Sequence, residues 1–290
     1  MKYSIDQFSK ITGISKLVLR TWENRYDFLL AHRTKTNIRF YSDDLLVQAL
    51  NTKFLLDSGY KISFVSTQTN NKINDLIESL RYSDNNEPST QYYINRIIKA
   101  GISFDANLFN RTYSDCLQDF NLINFYTSIM LPVFSKIGLF WLTNRMNPAQ
   151  EHFLSEMFKQ KIYAEINQLD LPKNKSNNWL LFLPPNEHHE IGLLFSRFLL
   201  IQHGYNVIYL GANVPIDSLK QMSKVKKIDN LLFFAVSNFS KSSLSDIIKS
   251  LTKNFKKTNK FLVSKDSQLE SSEMLDVKLI DSVDKFIKML

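Results

Sequence analysis

The sequence predicts a multidomain protein: an all-α winged helix-turn-helix, a four-helix bundle, and an α/β domain on a Rossmann-like, doubly wound parallel sheet. Three observations predict it. Residues 1–60 hold two short capped helices followed by a basic wing; residues 92–171 contain only helix-period segments; and from 178 onward short apolar runs alternate with helices. A chain of 290 residues, 44% of them hydrophobic, is long enough for two or three cores.

The opening elements follow from local chemistry. Ser4 and Gln7 make an S-x-x-Q capping box ahead of Ile5, Phe8 and Ile11, and Thr12-Gly13 ends that helix in a tight turn. Ser15 caps a second helix, from Lys16 to about Arg25, on which Leu17 and Val18 are expected to face the first helix. Lys16, Arg20, Thr21 and Asn24 then face solvent or a major groove, which makes this the recognition helix. Arg33, Lys35 and Arg39 alternate with polar residues before Tyr41, a basic loop suited to phosphate. Ser42-Asp43-Asp44 starts a third helix with the apolar set Leu45, Ala49, Leu50 and Phe54.

Polar, acidic and Pro/Ser residues at 82–91, and again at 172–178, mark breaks in the pattern. The expected domains are a DNA-binding domain at 1–75, a linker at 76–91, a bundle at 92–171 and an α/β domain at 178–290. Helical segments are predicted at Tyr93–Lys99, Phe104–Phe120, Ile123–Leu142 and Pro148–Leu169, with Tyr93, Phe104, Leu108, Phe120, Phe125 and Phe134 in the core. The strands are WLLFLP, NVIYLG, LLFFAVS, KFLVS and VKLI, with helices from Gly192, Ile216 and Ser243 and one after the last strand.

Composition narrows the function. The formal charge of +8 favours a polyanionic partner. One cysteine, Cys116, excludes a disulfide framework and metal sensing by paired thiolates within one chain. The sequence shows neither a leader pattern nor a run of ~20 apolar residues, so a cytoplasmic protein that does not enter the membrane is expected. No acid/base set for turnover stands out, and no enzyme activity is expected.

The sharpest motif of the third domain is PNEHHEIG at 185–192, where the first strand gives way to a helix. Ligands of open α/β sheets sit at the carboxyl ends of strands, so His189 on this loop is a candidate metal ligand. Glu187, two residues earlier, is placed to accept the other ring N–H and fix the tautomer. His188 reads as a solvated residue.

The N-terminal stretch resembles the MerR family of transcription regulators, through TGIS at 12–15, LRTWENRY at 19–26, Arg33-Thr34 and IRFYSDDL at 38–45. That resemblance implies a double-stranded DNA operator, bound by Lys16, Arg20, Thr21, Trp22, Arg25, Arg33, Arg39 and Tyr41. The alternative reading makes Trp22 and Tyr41 core aromatics between helix and wing. The bundle and sheet resemble the cobalamin-binding module, in which E-x-H-x-x-G at Glu187, His189 and Gly192 carries the lower axial ligand to cobalt, His189. Trp141, followed after nine residues by Glu151-His152, with Asn147 capping and Pro148 opening that helix, is similar to the set covering the adenosyl face in light-dependent regulators of the CarH/LitR type. Ser237 stands where that module contacts the nucleotide tail.

The sequence also departs from that pattern. Leu142 replaces a histidine that captures cobalt after photolysis, Leu139 stands in a segment lacking the usual acid, and Ser264-Lys265 replaces paired glycines. The resemblance implies a transcriptional regulator sensing adenosylcobalamin, and light, as a homodimer or homotetramer. The alternatives are a MerR-type regulator that has lost cobalamin and answers to a protein partner, and a corrinoid carrier, which would have no use for a DNA reader.

Overall fold

In a computed structural model of the chain, the first elements form where the sequence supplies their caps. The structure describes residues 2–83, 85–142, 148–170, 177–237, 239–264 and 276–290, without the side chains of 139–142, 223 and 241. Ser4 accepts the Gln7 N–H at 3.4 Å while the Gln7 side chain accepts the Ser4 N–H. This box starts α1 (Ile5–Thr12) directly after β1 (Tyr3–Ser4). Gly13 ends the helix at φ 71°, a left-handed conformation that needs no Cβ. Ser15 caps α2 (Lys16–Tyr26), and Ser42 caps α3 (Asp43–Asp57), which α4 (Ile62–Val65) and α5 (Asn70–Ser79) follow. Between them β2 (His32–Arg33) and β3 (Arg39–Tyr41) make the wing, in an antiparallel sheet of order β1-β3-β2.

Two helix faces differ from the expected ones. On α2 the inward residues are Leu19 and Trp22, and Leu17 is 74% exposed. Leu17-Val18 and Leu19/Trp22 lie on different sides of a 3.6-residue turn, and the three-residue spacing of the second pair makes the longer apolar stripe. On α3 the buried set is Leu46, Ala49, Phe54 and Leu55, with Leu45 and Leu50 only half-buried.

The chain divides into two units, Met1–Met157 and Phe158–Leu290. The first also contains α6 (Thr90–Ser103), α7 (Ala106–Asp119), α8 (Leu122–Phe125), a π-helical stretch at Tyr126–Met130, α9 (Leu131–Leu142) and the start of α10 (Pro148–Gln168). A polar seam ties the winged elements to these helices. Glu78 of α5 accepts from Tyr92 at 2.5 Å and pairs with Arg96. Arg81 donates to Tyr93 at 2.8 Å and to the Asp115 carbonyl at 3.0 Å. Asp119 accepts from Tyr82, Tyr93 and Arg81. Burial alone would raise that carboxyl, but these donors hold it below the usual range.

Tyr93, Leu108 and Phe125 are buried as expected, and Phe120 and Phe134 are half-buried. Phe104 is not in the core: it ends α6 in a left-handed conformation, φ 53°, and is 46% exposed. It closes one helix instead of opening the next. Cys116 is buried, which pushes its thiol up to about 12.

The second unit takes in the later part of α10, then β4 (Asn178–Phe182), α11 (Glu190–Gln202), β5 (Asn206–Gly211), α12 (Ile216–Val225), β6 (Asn230–Ala235), α13 (Lys241–Asn254), β7 (Asn259–Ser264), β8 (Val277–Ile280) and α14 (Val283–Met289). All pairings are parallel, in the order β5-β4-β6-β7-β8. Successive connections therefore leave β4 toward one edge and return past it to β6, so the crevice of a doubly wound sheet lies at the carboxyl ends of β4 and β6. Ser240 caps α13, two residues ahead of the expected start.

Gly101 sets the approach of α6 to α10. A Cβ built there would lie 2.4 Å from Cδ1 and 2.8 Å from Cγ of the buried Leu154. Gly101→Ala should destabilise the first unit by roughly 1–3 kcal/mol, measured as a lowered urea midpoint. An unchanged midpoint would show that the helices separate at no cost.

Candidate functional site

The first candidate surface is built from α2 and the wing. Lys16, Arg20, Thr21, Asn24 and Arg25 are exposed along α2, and Arg33 is exposed on the wing. Glu23, which the sequence reading passed over, joins the two. Its carboxylate accepts from Arg39 Nε at 2.8 Å and lies 3.7 Å from Arg33. The wing turn is closed by Asn37, at φ 63°, whose Oδ1 accepts from Arg33 at 2.9 Å. Glu23 is thus a positioning residue that sets the wing cations against the recognition helix.

Trp22 and Tyr41 are core side chains. Trp22 is 6% exposed beside Phe28, and Tyr41 is 1% exposed and stacked on Phe8 at 4.0 Å between centroids. Their rings face the interior, which supports the reading of both as core aromatics that shape the domain.

The second site lies at the carboxyl end of β4. Glu187, fully buried, receives six hydrogen bonds. Oε1 accepts from the His188 and His189 N–H groups at 2.9 and 3.0 Å, from His189 Nδ1 at 2.7 Å and from Ser237 Oγ at 2.8 Å. Oε2 accepts from the Val236 and Ser237 N–H groups, both at 2.8 Å. Burial would raise this carboxyl, but the donors from His189 and Ser237 hold it far below the ordinary range, so it is ionised.

An ionised acceptor fixes the tautomer of its donor. Nδ1 of His189 carries the proton shared with Glu187, with Ser237 Oγ also 3.1 Å away, which leaves Nε2 as the ring nitrogen a metal would take. The imidazole is 64% exposed. An exposed imidazole with a carboxylate behind it is the arrangement of a metal-ligating histidine.

The loop is braced from both sides. Asn213, at φ 56° after β5, accepts the Asn186 N–H through its side chain at 3.0 Å and donates its own N–H to Glu187 O at 3.2 Å. Sequence reasoning missed Asn213; an asparagine two residues after a strand-ending glycine is the signal it left. Gly192, in the first turn of α11, lets that helix close on β6, because a Cβ there would lie 2.7 Å from the Phe234 ring. A groove of about 340 Å³ opens beside the loop, lined by Pro185, Asn186, Ser237, Phe239, Ser240 and Ser243 among others.

Glu151 and His152 lie in the first unit, near the start of α10. His152 is exposed, and Glu151 accepts from Ser155 at 3.0 Å. The side chains of Leu139, Trp141 and Leu142, and residues Asn147, Asn238 and Lys265, lie outside the described residues. Ser264, half-buried, ends β7.

Fold and site define a DNA-reading regulator whose second unit offers one histidine at the switch point of a parallel sheet. Comparison with known proteins finds two family matches, at the opening segment and at the helices that follow it. Residues 3–68 match the MerR HTH family regulatory protein family, and residues 93–164 match the B12 binding domain. The chain is 24% identical over 258 residues to the HTH-type transcriptional repressor CarH of Myxococcus xanthus, covering 87% of this chain and 83% of that one. It is also 24% identical over 223 residues to the repressor CarA of the same organism, covering 76% and 72%. A Methanosarcina barkeri monomethylamine corrinoid protein shares the fold over 69% of this chain and 98% of its own, with a TM-score of 0.55 and 12% identity. The chain thus combines an opening segment similar to the MerR HTH regulators with a segment similar to the B12 binding domain, the organisation of a cobalamin-sensing DNA-binding regulator. No helix among the described residues is long and apolar enough to cross a membrane.

Glu187→Gln should cost roughly 1.5–3 kcal/mol at neutral pH, since an amide would turn N–H groups toward donors. The folded carboxyl titrates below its unfolded value of about 4.3. Its stabilisation is therefore complete above that value and lost as pH falls toward the folded one. Urea midpoints of wild type and variant should differ by a constant amount from about pH 8 to 6 and converge below about pH 4. A gap of the same size at about pH 3 would contradict the assignment.

For the DNA face, Glu23→Ala should release both wing arginines and weaken duplex binding across sequences, whereas Arg20→Ala should relax base preference. A selection giving Arg20→Ala the wild-type logo would remove Arg20 from base readout, and unchanged affinity of Glu23→Ala would remove the positioning role.

Proposed function

We propose that this cytoplasmic regulator senses adenosylcobalamin, with His189 as the lower axial ligand, and that light acting on the bound cofactor changes its oligomeric form and its hold on an operator. The observation that carries the reading is the buried, ionised Glu187 holding the Nδ1–H of His189. In this reading Lys16, Arg20, Thr21, Arg25, Arg33 and Arg39 contact DNA. Ser237 and Gly192 belong to the cofactor site. A paired winged domain supports the oligomer, because one module covers too few base pairs for useful specificity.

Adenosylcobalamin, when bound, supplies a cobalt–carbon bond that light breaks. The chain's own residues orient the imidazole, exclude other tautomers and couple any rearrangement of α6 and α7 to the winged elements through Glu78, Arg81 and Asp119. No catalytic turnover is part of this function. The named relatives are repressors, and repression is the sense of regulation we propose. Leu142 bears on how cobalt is held after illumination, and Ser264-Lys265, in place of glycines, narrows the channel for the cofactor.

Mixed with adenosylcobalamin in the dark, the full chain should show the visible spectrum of base-off, histidine-on cobalamin, and His189→Ala should not, while keeping its thermal midpoint. Absence of binding by wild type at tens of micromolar cofactor would favour a cofactor-independent regulator switched by a protein partner. Green illumination of the loaded chain should shift its size-exclusion volume and its operator affinity. Identical values before and after would end the light reading while leaving cobalamin sensing intact.

A further inference from the structure

The positive charge of the chain is not confined to the winged domain. The second unit, 158–290, holds 19 Lys and Arg against 13 Asp and Glu, while the first holds 17 against 15. Within 220–260 alone there are ten lysines, two aspartates and no arginine, an excess equal to the whole formal +8 of the chain. Four acids follow at 266–276, so the excess is local.

The fold brings four of these lysines to one edge. Lys226 and Lys227 precede β6, and Lys256 and Lys257 precede β7, its parallel neighbour. All four are exposed. The two loops are bonded together: Thr258 Oγ1 donates to Ile228 O at 2.8 Å, and the Asn259 N–H to Asp229 O at 3.0 Å. Lys278 of β8 continues the row, sharing with Lys256 and Lys257 a groove of about 490 Å³ that also contains Asp276. This is the amino edge of the sheet, opposite the carboxyl ends where Glu187 and His189 sit.

We infer that this lysine edge is a second DNA-binding surface that contacts the phosphate backbone of duplex flanking the site read by the winged domain. The chemistry favours a polymer over a single phosphate. The lysines are exposed point charges on long stems, spread over three strands, with no buried fork of donors aimed at one anion. Such an array suits repeated phosphates and adds affinity without base preference. Once the winged domain has engaged, the second contact is made within one complex, at a high effective concentration of phosphate.

The test uses the full chain and a 60-bp duplex of mixed sequence, with fluorescence anisotropy across a salt series. Four proteins are compared: wild type, a wing variant (R20A/R33A/R39A), an edge variant (K226Q/K227Q/K256Q/K257Q), and both sets combined. The edge variant should keep its cobalamin spectrum and thermal midpoint but lose up to roughly 3–4 from the slope of log K against log salt. The wing variant should retain weak, salt-sensitive binding that the combined variant lacks. An edge variant with the wild-type slope, or a wing variant with no residual binding, would overturn the inference. Loss of adhesion to phosphatidylglycerol vesicles with unchanged duplex binding would overturn it in favour of a membrane. The inference rests on the DNA-binding reading, and wild type that binds no duplex at all would defeat that reading separately.

Discussion

The second unit of this protein depends on one buried carboxylate. An ionised side chain with no exposure is a large desolvation penalty unless every oxygen is satisfied, and Glu187 meets that condition with six donors from the β4–α11 loop and the end of β6. Because those donors come from the two strands that flank the switch point, the same carboxylate closes the crevice floor and sets the histidine tautomer. Fold and ligand chemistry are therefore coupled at one residue. A change that protonates or removes it loosens the loop and frees the imidazole together.

The same device recurs in the first unit at lower stakes. Glu23 holds two wing arginines to the recognition helix, and Glu78 and Asp119 join the winged elements to the bundle through tyrosines and arginines. In each place an acid within a basic or aromatic neighbourhood converts separate elements into one body. The π-helical stretch at Tyr126–Met130 and the close approach at Gly101 show that the bundle is packed to fit.

Much of this was legible in the sequence, because caps, turns and strand runs are local. Ser4, Gly13, Ser15 and Ser42 sit where their helices begin or end, and all five strands of the parallel sheet fall on the expected apolar runs. The pairing of Glu187 with His189 was also readable, since two residues of spacing allow it. Choices between adjacent apolar residues were not: Leu17 against Leu19, or Leu45 against Leu46, turns on tertiary packing that a single helix does not encode. Glu23 and Asn213 escaped notice for a related reason, as an acid among arginines and an asparagine in a loop read as solvated until their partners are placed. The lysine edge is visible as composition but acquires meaning only when β6, β7 and β8 align its members.

The central claim, that His189 Nε2 is the protein's axial ligand, is tested most directly by electron paramagnetic resonance of the chain loaded with cob(II)alamin. A single axial nitrogen splits each cobalt line into a triplet when it is ¹⁴N and a doublet when it is ¹⁵N. Protein grown with ¹⁵N-histidine and loaded with unlabelled cofactor should show the doublet. A triplet from the labelled protein would mean that the axial nitrogen belongs to the cofactor's own base, and would contradict the account.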